Sequence, residues 1–313
     1  VSLLSGPGCP VCVTPVEYVD HAVAIANEPG TIVASFGDMI RVPGSVCSLE
    51  HERALNADVR IVYSPANALE IARQNTDKTI VFLGIGFETT APAVAWTLKM
   101  AKQTVGVPNY FVLCAHKTIP EAMDALLRGG KAHIDGFICP GHVSVITGAC
   151  VYEPICAKYH IPCVVAGFEF ADMVETIKIL LQQIIDKRAE TEIQYTRSVT
   201  EKGNIMAQRI CGQVFEKCDT EWRGLGLIPN SGLRIKDEFS NHDADKKFDN
   251  INFPKSFDDK NCICGDILQG IKTPTDCSLF GKRCTPINPV GACMVSSEGT
   301  CAAYYKYRNR LQI

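Results

Sequence analysis

Residues 79–115, TIVFLGIGFETTAPAVAWTLKMAKQTVGVPNYFVLCA, decide the fold. Two apolar runs, Thr79–Ile85 and Tyr110–Ala115, flank a segment of helical periodicity, Pro92–Gln103. Both runs are short, rich in Val, Ile, Leu and Phe, and not cleanly alternating, as in parallel strands covered on both faces. Strand, helix, strand in that order is a βαβ unit. Outward from it the same grammar repeats. Thr31–Phe36, Val59–Tyr63, Ile134–Cys139 and Pro162–Ala166 read as further strands, and Glu121–Arg128 and Glu169–Arg188 as helices. The class is therefore α/β with mostly parallel pairing, and two small sheets are expected rather than one. At 313 residues the chain is long for a single domain. Divisions are expected at 1–85, 86–190 and 191–313.

The strand-to-helix turns share a device. Thr14-Pro15-Val16-Glu17 and Thr118-Ile119-Pro120-Glu121 read as capping boxes with proline early in the helix, and Ser64-Pro65 as a simpler cap. Such turns belong at the carboxyl ends of the strands, the rim where open α/β sheets bind ligands. From about 190 to 260 the character changes: a helix-like stretch, Gly203–Lys217, precedes a loop-rich connection containing Asn230-Ser231-Gly232 and the polar segment Ser240–Lys260.

Composition narrows the function classes. A net charge of −3 gives no reason to propose nucleic acid or a membrane surface as a partner. No apolar run approaches the roughly 18 residues of a membrane span, and no secretory signal pattern is visible, so a cytoplasmic protein is expected. The chain starts inside an apolar run, Val1-Ser2-Leu3-Leu4, without an initiating Met, which reads as truncation. The unusual feature is 16 cysteines. In a long chain with an ample core they point to metal or thiol chemistry rather than to a disulfide framework. Cys114, Cys139 and Cys163 lie in or beside strand-like runs, and Cys150, Cys156, Cys211 and Cys218 in helix-like ones; all seven read as small core residues.

The strongest chemical signal lies beyond residue 260. Cys262, Cys277, Cys284 and Cys301 form C-x14-C-x6-C-x16-C in loop-rich chain, with Cys264 and Cys293 among them. Four thiolates can hold a [4Fe–4S] cluster. Structural zinc usually draws on paired C-x2–4-C knuckles, which this segment lacks, so spacing favours the cluster over zinc. Two thiols are left over and could form a redox-active pair or be passive. A second signal is Gly6-Pro7-Gly8-Cys9-Pro10-Val11-Cys12, in which C-P-x-C just before a helix start is the arrangement that lowers thiol pKa. Softer signals place Asp38, Arg41, Glu88, Thr89, His142 and Ser144 at strand ends, as lining for a cleft. Glu298, between cluster-region cysteines, is a proton donor or merely solvated. There is no phosphate loop, dinucleotide fingerprint, radical-SAM ligand set or nucleophile elbow. Three functions compete: an assembly scaffold with redox thiols, a free-standing iron–sulfur disulfide reductase, and a zinc-stapled binding module.

In order along the chain, Gly6–Pro15, Phe36–Ser45, Gly86–Pro92, Pro140–Gly148 and Cys262–Tyr307, including Asn288-Pro289-Val290-Gly291-Ala292-Cys293-Met294-Val295-Ser296-Ser297-Glu298-Gly299, resemble the HypD family of hydrogenase maturation factors. The resemblance implies two similar α/β domains facing each other across a cleft, plus a C-terminal [4Fe–4S] domain. It implies a scaffold for building the Fe(CN)2CO unit of [NiFe]-hydrogenase, with transient iron carrying CN and CO. HypC-like chaperone and HypE-like cyanide donor are the implied partners. Cys262, Cys277, Cys284 and Cys301 become cluster ligands, Cys264 and Cys293 a redox pair similar to that of ferredoxin:thioredoxin reductase, and Cys9 and Cys12 cleft thiols that bind iron or relay electrons. A further cysteine, in a Cys-Gly-Gly-His-x-His motif, is expected upstream of Val1.

Overall fold

The computed structural model describes residues 1–103, 107–130 and 133–307. Strands β1 (Thr31–Ser35), β2 (Val59–Ile61), β3 (Thr79–Gly84) and β4 (Tyr110–Cys114) form one parallel sheet in the order β2-β1-β3-β4. Strands β5 (Phe137–Pro140), β6 (Cys163–Ala166) and β7 (Thr191–Ile193) form a second parallel sheet. An antiparallel hairpin, β8 (Phe215–Trp222) and β9 (Gly226–Ile235), is the third.

The helices are α1 (Val16–Ala26), α2 (Gly37–Ile40), α3 (Leu49–Ala54), α4 (Pro65–Gln74), α5 (Ala91–Gln103), α6 (Ile119–Arg128), α7 (Gly141–Thr147), α8 (Glu153–Tyr159), α9 (Phe170–Ile185) and α10 (Ile205–Val214). Short ones follow around the tail: α11 (Ala244–Lys247), α12 (Cys264–Leu268) and α13 (Thr300–Tyr307), with 3-10 turns at Asp237–His242, Pro274–Asp276 and Ala292–Met294. No helix among the described residues is long and apolar enough to cross a membrane.

The unbroken burial of β1 follows from cover on both faces. Ile32, Ala34, Ile80, Phe82 and Val112 pack on one side against α4 and α5 and against Phe215 and Ile235 of the hairpin. Val33, Val81, Leu83, Phe111 and Leu113 pack on the other side with Val19, Ala22 and Ile25 of α1 and Leu49 of α3. Adjacent strand residues thus serve opposite cores, the period-two rule that fixes register. Because β4 pairs with β3 and β7 with β6, divisions after residues 85 and 190 both fall between hydrogen-bonded neighbours.

Four local expectations are corrected. Cys218 lies in β8 and Asn230-Ser231-Gly232 in β9, where a helix and a loop were expected; α10 stops at Val214. The Thr14 box does not form. Pro15 is the residue before α1, and the Thr14 hydroxyl donates to Pro10 O at 2.9 Å instead. Thr118 precedes α6 without capping it, and Glu88 Oε1, from beyond β3, accepts the Ile119 N–H at 3.0 Å in its place. Ser64 does cap α4, reciprocally with Asn67.

Candidate functional site: a line of thiols beside a thiol-ringed pocket

The Cys9–Cys12 loop is built from consecutive turns: Cys12 N–H donates to Cys9 O and Thr14 N–H to Val11 O. The hairpin turn pins it, with Arg223 N–H donating to Val13 O at 2.9 Å. From the tail, the turn at Ala292–Met294 presents Cys293, and α12 begins on Cys264. Arg41, which pairs with Asp38, holds this tail turn through Val295 O at 3.0 Å. Ala292 and Val295 themselves enter the core under the first sheet. Two segments remote in sequence therefore meet in one buried cluster containing Cys9, Cys12, Cys264 and Cys293.

There the four sulfurs form a line. Cys264 and Cys293 are 2.7 Å apart, Cys293 is hydrogen-bonded to Cys12, and Cys12 to Cys9. Hydrogen bonding to Cys12, then burial, pushes the Cys293 thiol well up. The Cys264 thiol rises through its bond to Cys293 and burial. At Cys12 the bond from Cys293 pulls down, but donation to Cys9 and burial prevail and the net shift is upward. Cys9 alone falls below the ordinary thiol value, because it accepts from the Cys12 thiol and, more weakly, from Cys12 N–H and Ser296. The lowering expected from a helix start is present, but its cause is these hydrogen bonds.

Past Cys264 and Cys293 lies a small cavity of about 10 Å³, ringed by Cys262, Cys277, Cys284 and Cys301 and walled by Ile267, Leu279, Phe280 and Met294. Burial pushes Cys262 up to about 12 and raises Cys301, with neighbouring thiols adding to both shifts. A Cβ on Gly299 would stand 2.3 Å from Cys293 O, so that position needs glycine, and one on Gly291 would crowd Cys262 Sγ at 2.8 Å. Four soft donors around an apolar void fit a metal group that replaces their protons. Among the described residues, no three of these ring sulfurs lie within 4.8 Å of one another. Four thiolates of this kind could hold a zinc ion or an iron–sulfur cluster once drawn onto the metal.

The remaining expected site residues are dispersed. Glu88 is buried at the start of α6, with Oε2 unpartnered and its carboxyl pushed up to about 7 by burial. The Ser144 hydroxyl donates to Pro140 O and bonds Tyr152. Thr89 and Glu298 are exposed, and His142 is exposed against the Phe168 ring, 4.0 Å between centroids. Asp38 and Arg41 alone of the rim set reach the tail turn. Sequence reasoning missed Arg223, nearly buried beside Cys262 and Cys264, whose guanidinium pairs with Asp258 at 2.6 Å and opposes their upward shifts. Its only sequence signal was a charge inside a turn, Arg223-Gly224.

Fold and site together define a cysteine-rich α/β protein whose N-terminal loop and C-terminal tail share one thiol site. The family described as HypD, hydrogenase formation hypA family, matches residues 1–308. The hydrogenase maturation factor HypD of Azotobacter vinelandii is 46% identical over 319 residues, covering 100% of this chain and 84% of that protein. The HypD of Cupriavidus necator is 46% identical, covering 98% of this chain and 83% of its own length. A putative hydrogenase expression/formation protein of Methanocaldococcus jannaschii is also 46% identical, with 98% and 85% covered. The chain belongs to the HypD family.

Proposed function

We propose that this protein is a maturation scaffold for [NiFe]-hydrogenase that carries a [4Fe–4S] cluster on Cys262, Cys277, Cys284 and Cys301. The observation that carries the reading is the continuity of sulfur, from the ringed pocket through Cys264 and Cys293 to Cys12 and Cys9. When bound, the cluster supplies single electrons to a neighbouring sulfur pair.

The protein's own residues do the rest. If Cys9 and Cys12 are joined as a disulfide, Cys293 is placed to attack Cys12, and Cys9 leaves as the thiolate its hydrogen bonds favour. Cys264 then attacks Cys293, Cys12 leaves, and the oxidation has moved to the Cys264/Cys293 pair. Two electrons and two protons delivered there restore both thiols, so the exchange balances. Arg223 lies where it offsets negative charge on Cys262 and Cys264. The Cys9 end presents the most acidic thiol of the line, a soft donor for the iron of the assembling Fe(CN)2CO unit. A HypC-like chaperone and a HypE-like cyanide donor are the partners this cargo requires.

The test is metal analysis and visible absorption of anaerobically purified protein, then infrared spectroscopy after co-purification with the small partner. Cluster absorption and CN and CO stretches are expected. A colourless sample holding only zinc overturns the reading.

A further inference from the structure

Away from the thiol line, a second set of metal-type donors converges on the flank of the first sheet. Cys47 closes a turn in which Gly44 N–H donates to Cys47 O at 2.9 Å, and Ser48 then caps α3. His51 and Glu52 follow on that helix. One donor atom from each of Cys47, His51 and Glu52 lies within 4.8 Å of the other two. His51 Nδ1 and Glu52 Oε1 are 3.3 Å apart. That is long for a charge-assisted hydrogen bond of about 2.7–2.9 Å. It matches the edge, about 3.3 Å, of a tetrahedron with metal–ligand bonds of about 2.0 Å. The Cys47 thiol is hydrogen-bonded to Glu52. Asn27, following α1, donates to Glu52 Oε2 at 3.1 Å and holds the carboxylate in place, as outer partners of metal ligands do.

We propose that Cys47, His51 and Glu52 form a binding site for a thiophilic divalent cation such as Zn2+, with water completing the tetrahedron. One sulfur, one imidazole nitrogen and one carboxylate oxygen are the mixed donor set of an open zinc site rather than a closed structural one. His51 is 60% exposed and Glu52 13%, so an ion can enter from solvent without unfolding the sheet. Binding exchanges the thiol proton for the metal and involves no redox step. The site shares no residue with the tail ring, so it stands or falls independently of the cluster.

The experiment is equilibrium dialysis of anaerobically prepared full-length chain against buffered Zn2+, comparing wild type with Cys47→Ser, His51→Ala and Asn27→Ala, and X-ray absorption at the zinc edge. Cys47→Ser and His51→Ala should each remove one equivalent of zinc, weakening that site by well over tenfold, while Asn27→Ala weakens it about tenfold. The zinc edge should lose a sulfur neighbour in Cys47→Ser. His51 is on the surface, so its replacement leaves the fold intact and keeps the test clean. Equal zinc counts and affinities in wild type, Cys47→Ser and His51→Ala overturn the proposal.

Discussion

Two strings of buried thiols run through this molecule, and they end differently. In the second sheet Cys156 is hydrogen-bonded to Cys163 and to Thr191, and Cys163 to Cys139. Cys139 then donates to a backbone carbonyl, Phe137 O. Every proton has a resting place, and both Cys156 and Cys163 are pushed far above the ordinary thiol value. The other string, Cys264, Cys293, Cys12 and Cys9, ends on a sulfur that only accepts, and Cys9 is correspondingly lowered. Depth of burial is alike in the two. The proposed chemistry rests on the acceptor end and on the thiol-ringed pocket at the other, whereas the sheet's thiols pack in the core.

The comparison can be broken most decisively in the ring. Cys277→Ala should abolish the visible absorption of anaerobically purified protein, because one of four thiolate ligands is lost; an unchanged spectrum removes Cys277 from the ligand set. Cys9→Ser or Cys12→Ser should lower hydrogenase maturation about a hundredfold or more, because the exchange loses the disulfide it acts on, and leave the visible absorption of the cluster unchanged. Full maturation would make these thiols as structural as Cys163.

Glu88 stands near the sheet's string, since Tyr152 feels its charge together with that of Cys139 and Cys163. Its folded pKa, about 7, is raised by burial above the ordinary value of 4.5. The folded state therefore holds the proton more tightly than the unfolded chain. Stability from this group is full below pH 4.5 and is lost as pH rises through 7. Glu88→Gln should then stabilise the protein at pH 8 by roughly 3 kcal/mol and make no difference near pH 4. Urea unfolding at the two pH values checks this. The smallest effect is expected in the sheet: Cys163→Ala should cost about 1–2 kcal/mol through lost packing while maturation stays within about twofold.

Six strands and the long helices were legible because parallel strands buried on both faces leave uninterrupted apolar runs. The hairpin was not. In Phe215-Glu216-Lys217-Cys218-Asp219-Thr220-Glu221-Trp222 the apolar ends are buried while the polar middle is half exposed, so no run announces a strand. β7, Thr191-Glu192-Ile193, has a charge at its centre and no fully buried residue, so no apolar run marks it. The capping errors share one cause: Pro10 O and Glu88 intervened from outside the local window. At the site, spacing singled out the six tail cysteines and the C-P-x-C pair, and family resemblance supplied their roles. Spacing alone could not show that Cys12 and Cys293 touch. Cys47 and His51, four residues apart before Glu52, were visible as a pattern but lack the glycine-rich setting that drew attention elsewhere.

The contact between Cys12 and the tail turn at Ala292 spans 280 residues. At about 5–20 residues per second, a ribosome needs on the order of tens of seconds to add that stretch. For that interval the newborn chain carries its C-P-x-C loop with neither Cys293 to donate to Cys12 nor Ser296 to hold Cys9. Under the proposed function, vectorial synthesis makes the wire its own completion check: electrons would have no route until the last tenth of the polypeptide has folded back onto the first.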